Sequence, residues 1–257
     1  MRGIIGWRRL GSAVAALLAL SACASMEATN RLQGIKTIGI ISAIGDKFTF
    51  TETGLTGFDN APHSASIEAW GIDEQIVAQA TSILGRNFQV QTLSYPREIF
   101  AALEKKSAIP AADLLRENPL KREDPFKESI VNHVSPQGLD AYVVITKATL
   151  KFGTRGVPVS GIGLINHSAL LNSSAMVHVL YVIRVVDGHT FRTIDKKTAS
   201  PLDNSSIIKL TGPSRPFDAA VPPISDPLQN ESLKVAVSDL INRSLEPTLR
   251  DLHLTTP

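Results

Sequence analysis

The chain has 257 residues, 26 basic against 24 acidic side chains, and 43% apolar residues. That is enough apolar material for one large core, and the near-balanced charge supplies no basic face of the kind a nucleic-acid binder needs. Aromatics make up only 5%, which argues against a platform for stacking sugars or bases, and a single cysteine cannot form a disulfide within the chain.

The first residues read MRGIIGWRRLGSAVAALLALSAC. Arg2, Arg8 and Arg9 form a basic head, an apolar run follows from about Ala13 to Leu20, and small residues precede Cys23. This is the layout of a secretory signal peptide, and the run is shorter than the roughly 20 apolar residues that span a bilayer. Arg8-Arg9 also matches a twin-arginine signal, but the residues around the pair favour an ordinary positive head. Leu20-Ser21-Ala22-Cys23 resembles the bacterial lipobox. The resemblance implies cleavage before Cys23, a diacylglyceryl group on its sulfur and an acyl chain on its new amino group. The competing reading is a free or buried cysteine in a secreted protein. One acyl chain holds only marginally, whereas two or three hold firmly. Ala24, where inner-membrane lipoproteins commonly carry Asp, implies by the same resemblance an outer-membrane, periplasm-facing address. Residues 1–22 carry three arginines and no acid, so the cut chain keeps 235 residues and a formal charge of −1.

Residues 23–34 read as a lipidated tether; ten extended residues span at most about 35 Å. Residues 35–253 read as one domain. KTIGIISAIG (36–45) and KFTFTETG (47–54) are strands, the second alternating, and Gly45-Asp46 predicts a hairpin between them. Residues 55–69 read as a polar loop. Ile72, Ile76, Val77, Ala80, Ile83 and Leu84 form one helical face, with Asp73 in the first turn and Gly85 as the stop. A strand over 87–93, a helix from Pro96 with Ile99, Phe100 and Leu103 inward, and a Pro-broken stretch over 107–123 with a short helix at 111–117 follow. Asp124-Pro125 starts a third helix with Phe126, Ile130, Val131 and Val134 as its stripe.

LDAYVVITKATLKF (139–152) is the clearest strand, and its apolar centre predicts a central position in a sheet. Residues 153–173 read as a long loop. AMVHVLYVIRVV-DG-HTFRTIDKK predicts a two-residue type I′ hairpin pairing Val186 with His189, Arg184 with Phe191 and Val182 with Thr193. Arg184 then reads as a solvated or edge-facing side chain. Residues 200–228 hold six of the 15 prolines and read as an irregular crossing. A helix from Glu231, capped by Asn230, closes the chain on a long apolar stripe, with Pro247 expected to kink or end it.

The expected fold is α/β (α+β): a single domain, one mixed β-sheet with helices mainly on one face. The element order resembles the N-terminal α/β domain of the translocation protein TolB, and periplasmic lipoproteins of the curli-secretion (CsgG) and peptidoglycan-synthase-activator (LpoB) type share that plan. AIGDKFTF with WGID downstream also resembles a set of bacterial lipoproteins of unassigned function. These resemblances imply partner binding and bring no catalytic residues.

Residue patterns that carry chemistry are sparse in this chain. Gly156 and Gly161 have phosphate-loop spacing, but Ile162 stands where that chemistry needs Lys. His63, His133, His167, His178, His189 and His253 are too scattered for a zinc site. No GxSxG is present. The expectation is therefore no enzyme, no cofactor, no metal and no nucleic acid. The chain reads as an outer-membrane lipoprotein held through Cys23. It would be a non-catalytic binding or accessory module for an envelope protein partner in assembly, secretion or maintenance. Ile162, Leu164, Ile165, Leu170 and Leu171 are the expected contacts, on an apolar-tipped loop that either docks on a partner or packs on its own domain. A ring- or pore-forming export subunit is the alternative, and a divergent envelope hydrolase a further one.

Overall fold

A computed structural model describes residues 32–53, 62–107, 125–153, 156–168, 173–202, 210–218, 227 and 230–255. The segment expected to hold a short helix at 111–117 lies outside them. Two units separate along the chain: Met1–Ile35, and Lys36–Pro257, which holds the strands and helices. In the first, the Ile35 N–H donates to the Leu32 carbonyl at 3.3 Å.

The expected mixed α/β fold is found. Strand β1 (Thr37–Ala43) lies between two parallel neighbours, β4 (Gln89–Gln91) and β5 (Ala141–Lys147). Ala141 to Thr146 are all buried, as a strand covered on both faces requires. Beyond β5 runs β8 (Ser173–Asp187), antiparallel and 15 residues long. Its second half pairs with β5 and with β9 (Thr193–Thr198). Its first half pairs with β7 (Val157–Ser168) and with β10 (Ser214–Phe217). Outside β7 come β2 (Lys47–Thr53), parallel to it, and β3 (His63–Ser66); β6 (Thr149–Phe152) folds back on the start of β7. The sheet thus forks on β8.

Four helices flank it: α1 (Ile72–Leu84), α2 (Arg97–Ser107), α3 (Pro125–His133) and α4 (Glu231–Asp251). They were expected mainly on one side and lie on both. Phe100, Leu103, Phe126 and Ile130 of α2 and α3 pack with Ile41, Ala43, Tyr142 and Val144 on one face. From the other face Ser42 Oγ donates to Asp73 Oδ1 of α1 at 2.6 Å, and the Tyr181 and Ser244 hydroxyls share a buried bond to α4 at 2.8 Å. Burial pushes the Tyr181 phenol up to about 12. Val131, expected in the stripe of α3, is instead 46% exposed. In α4 the assigned helix continues through Pro247, with Leu233, Val237, Leu240, Ile241, Leu245 and Leu249 buried beneath it. The Leu233 N–H donates to the Asn230 side chain at 3.1 Å, the expected cap.

Three expected connections differ. β1 and β2 form, but each pairs elsewhere: the chain crosses from one arm of the fork to the other at residues 44–46. The β8–β9 hairpin exists in another register, Val186 opposite Thr193 and Arg184 opposite Lys196. Asp187 Oδ1 accepts from the His189 and Thr190 N–H groups, and Phe191 takes the left-handed position at φ 55°. This widens the loop beyond two residues. The long strand expected over 139–152 divides at Ala148 into β5 and β6.

Candidate functional site

Cys23, Leu170 and Leu171 lie outside the described residues. Ile162, Leu164 and Ile165 do not sit on a loop. They lie in β7 and are 1%, 8% and 0% exposed, so they are interior side chains of this domain and not a mobile tip. The glycines that suggested a loop are packing requirements. A side chain at Gly163 would press on the Thr49 carbonyl and approach His178 Nε2 to 2.9 Å, and Gly161 has φ 61° with the Lys147 stem lying across it.

A large concave surface among the described residues lies elsewhere, at the carboxyl ends of β1 and β5. After β1 the chain passes through β2 and β3 before α1 leads it to β4 from one face, and it reaches β5 from α3 on the other. Such a switch in direction opens a crevice beyond the strand ends. Here the crevice widens into a cleft of about 1460 Å³, because β2 and β7 diverge with the other arm of the fork. Its walls are the starts of α1 and α2, the ends of β1 and β5, β8 and β9, and the first residues of β2.

The loop after β1 is arranged to hold an anion, and this chain supplies its own. Asp73, 5% exposed in the first turn of α1, accepts from Ser42 Oγ and the Ile44 N–H on one oxygen and from the Gly45 N–H, at 3.1 Å, on the other. A carboxylate at a helix start also suits the helix dipole. Tyr95 secures β1 from the opposite face: its hydroxyl accepts from the Ser42 N–H at 2.9 Å and donates to the Ser42 carbonyl at 3.3 Å. Burial raises the Tyr95 pKa, so the phenol stays a donor.

Two ion pairs cross the cleft. Lys147, at the end of β5, meets Asp46. Arg97, the first residue of α2, meets Glu74 of α1. The hydrogen bond from Arg97 holds the Glu74 carboxyl below its ordinary range, and Glu74 raises Arg97 in turn. Arg184 is half-buried, not solvated at an edge: its Nη1 donates to Thr146 Oγ1 at 2.9 Å, and its guanidinium lies 5.0 Å over the Phe126 ring, a cation–π geometry. Sequence reasoning missed this site. Its signal was AIGDK followed by WGID, a strand end and a helix start that meet at Asp73.

No group of three or more His, Cys, Asp or Glu side chains able to hold a metal occurs among the described residues. His178 is buried on β8, away from the cleft. Its Nδ1 donates to the Gly161 carbonyl at 3.1 Å, which fixes the tautomer because a carbonyl can only accept, and Nε2 has no hydrogen-bond partner among the described residues. No described helix is long and apolar enough to cross a membrane.

No protein-family model and no curated protein matches the sequence. Among solved structures the chain is similar to lipoprotein GNA1162 from Neisseria meningitidis, at 14% identity and a TM-score of 0.25, over 80% of this chain and 96% of that one. A superposition of that quality transfers neither fold nor function.

Proposed function

We propose that the chain is a lipid-anchored envelope protein, held through Cys23, that works as a non-catalytic binding module with the cleft as its working surface. The observation that supports a binding role is the state of the cleft's polar groups. Asp73 is consumed by three donors, Lys147 by Asp46 and Arg97 by Glu74, an arrangement that leaves these groups, among the described residues, without the form of a poised nucleophile–base pair. The anchor reading rests on Leu20-Ser21-Ala22-Cys23 in the sequence. Lys36, where the chain enters the folded unit, lies at the opposite end of β1 from the cleft, and seven strand residues span roughly 23 Å. Outer-membrane attachment, implied by Ala24, would then concentrate the cleft near envelope partners without adding a contact.

The test is an in-cell photo-crosslink from Ser66 and Ala102, which are exposed beside the cleft, with Cys23→Ser as the released control. One envelope protein captured by the anchored form from both positions is the expected result. Adducts confined to the chain itself would sink the reading.

A further inference from the structure

We propose that the free edge of β3 docks an extended polypeptide segment of an envelope partner, which adds to the sheet as a further strand and continues past Ser66 into the cleft. This rests on the binding reading above and adds to it the class of ligand and the mode of attachment.

The carrying observation is the hydrogen-bond phase of the β2–β3 ribbon. The Ile67 N–H donates to the Asp46 carbonyl at 3.1 Å, and the antiparallel register continues with Ser66 opposite Lys47, Ala65 opposite Phe48 and Ser64 opposite Thr49. Bonded and non-bonded pairs alternate in such a ladder. Ala65 therefore turns its N–H and carbonyl to β2, while Ser64 and Ser66 turn theirs outward. β3 ends the sheet on this side, and both serines are exposed. Neither has a backbone partner on that edge among the described residues.

The other free edges among the described strands are guarded. The Ala199 N–H donates to the Tyr181 carbonyl, which puts Lys196 at an outward position of β9. The Val179 N–H donates to the Pro213 carbonyl, which puts Pro216, with no N–H to offer, at an outward position of β10. β6 carries Lys151. β4 turns only Val90 outward, because the Gln89 N–H is bonded to the Lys36 carbonyl. Lysine, proline and short length are devices that stop edge pairing. β3 reads HSAS, without lysine, acid or proline. Pro62, just ahead of it, closes the edge at that end, so an added strand extends toward Ser66.

The chemistry of the edge selects its occupant. Ser64 and Ser66 each present one donor and one acceptor, repeated about 6.8 Å apart along the strand. Another extended backbone reproduces that repeat, as in recognition by strand addition; an ion or a lipid headgroup does not. The neighbouring side chains ask for alternation. Ser64 and Ser66 share a face with Lys47 and Thr49, and Lys47, Thr49 and Ser66 line the cleft. Ala65 shares the other face with Phe48 and Phe50, and Ala65 and Phe50 are only half-buried. A strand with hydroxyls toward the cleft and apolar residues beside Phe50 continues both faces in kind. A second copy of this chain is the poorer occupant: two four-residue edges paired with each other bury less than the roughly 1,200 Å² of a stable interface, whereas a partner segment gains the cleft as well.

The test uses the detergent-extracted full-length protein and a fluorescein-labelled peptide of alternating Thr and Val, read by anisotropy. Two matched peptides are N-methylated on the backbone, one at every Thr and one at every Val, because an added strand turns only alternate N–H groups to β3. The unmodified peptide should bind, one methylated form should keep its affinity and the other should lose about tenfold. Ser64→Pro removes an outward N–H that no ladder bond uses, a position where an edge strand tolerates proline. It should weaken binding about tenfold, Ser64→Thr should leave binding unchanged, and both should keep the parent's circular-dichroism spectrum. Should Ser64→Pro fail to fold, the methylated peptides decide on the parent protein. Equal binding of the two methylated peptides, or equal losses in two folded Ser64 variants, would overturn the proposal by assigning recognition to side chains. A dimer in sedimentation that Ser64→Pro dissolves would overturn it as well, making the occupant a second copy. No peptide binding, while Ser66 and Ala102 still capture an envelope partner in cells, would refute the edge and leave the binding reading standing. Failure of both would remove both.

Discussion

The two arms of the sheet hang on the same strand, β8, and are built from different material. The arm formed by β4, β1 and β5 is a parallel sheet covered on both faces by helices, and β1 and β5 carry the apolar runs Ile38 to Ile41 and Ala141 to Ile145. The arm formed by β2 and β7 holds its strands close through glycine: Gly163 sits where any side chain would meet Thr49 and His178. One arm coheres by filling space and the other by leaving none. The difference teaches that a Gly- and Ser-rich stretch can be as interior as a valine run.

The comparison breaks most visibly at Ile165. As a residue of an apolar loop it would be dispensable. As a fully buried member of the cluster with Phe152, Leu180 and Leu210, Ile165→Ala should cost about 3 kcal/mol, close to the cost of Ile41→Ala in the other arm. Urea unfolding of both variants checks this. A neutral Ile165→Ala beside a damaging Ile41→Ala would restore the loop reading.

Nearly as large an effect is expected from acid. His178 is buried, neutral and bonded through Nδ1, and desolvation takes its pKa from 6.5 down to about 4. Its neighbours across the strands are Gly163 and Ser214, neither of which titrates. Between those two values the unfolded chain binds the proton and the folded one does not. Stability therefore falls as pH drops from about 6.5 to about 4, by about 3 kcal/mol in all, and levels off below. His178→Gln, which keeps a donor for the Gly161 carbonyl, should flatten that part of the curve of melting temperature against pH. An unchanged slope would show that His178 is solvated or paired.

How much of this was legible follows from the same contrast. The helical stripes of α1 and α4 were readable because burial on one side of a helix leaves a 3.6-residue signature; Ile72, Ile76, Ala80, Leu240 and Leu245 are interior as expected. β5 was readable because both its faces are covered. β7 was not, since close strand packing selects Gly161 and Gly163, the residues that also mark loops. The pairing of β1 and β2 was misread because proximity in sequence suggested a hairpin, while the deciding contact, Asp73 on the 44–45 backbone, comes from 28 residues away. The cleft was hidden for the same reason: Asp46, Asp73, Arg97, Lys147 and Lys196 converge only through the topology. Arg184 was judged by its strand alone, and nothing local announces Phe126 beneath it.

A smaller effect separates fit from mere proximity. Gly163→Ala adds a single methyl group, in the arm where none is tolerated, and should cost about 2 kcal/mol by forcing β2 and β7 apart. The accompanying shift should appear in the amide exchange of β2 and leave β1 unchanged. Equal loosening of both strands would mean that the arms do not yield separately.

The smallest expected effect lies where the chain enters the other arm. Asp140, just before β5, accepts from the Lys36 and Thr37 N–H groups at 2.9 and 2.8 Å and from the Thr37 hydroxyl at 2.9 Å. The Thr37 and Lys36 N–H groups lead in holding its carboxyl below the ordinary range. Its contribution is therefore present above the ordinary carboxylate pKa and is lost as pH falls through the lowered one. The group is solvent-screened, so Asp140→Asn should cost at most about 1 kcal/mol. Amide exchange should quicken at Thr37 while Ile41, about 13 Å deeper in helix-covered sheet by strand rise, keeps its protection. The start of β1 is pinned by one side chain and its middle by the core, so fraying should stop where apolar cover begins. Exchange that quickens along all of β1 would mean that the carboxylate, and not the apolar fill, holds this arm together.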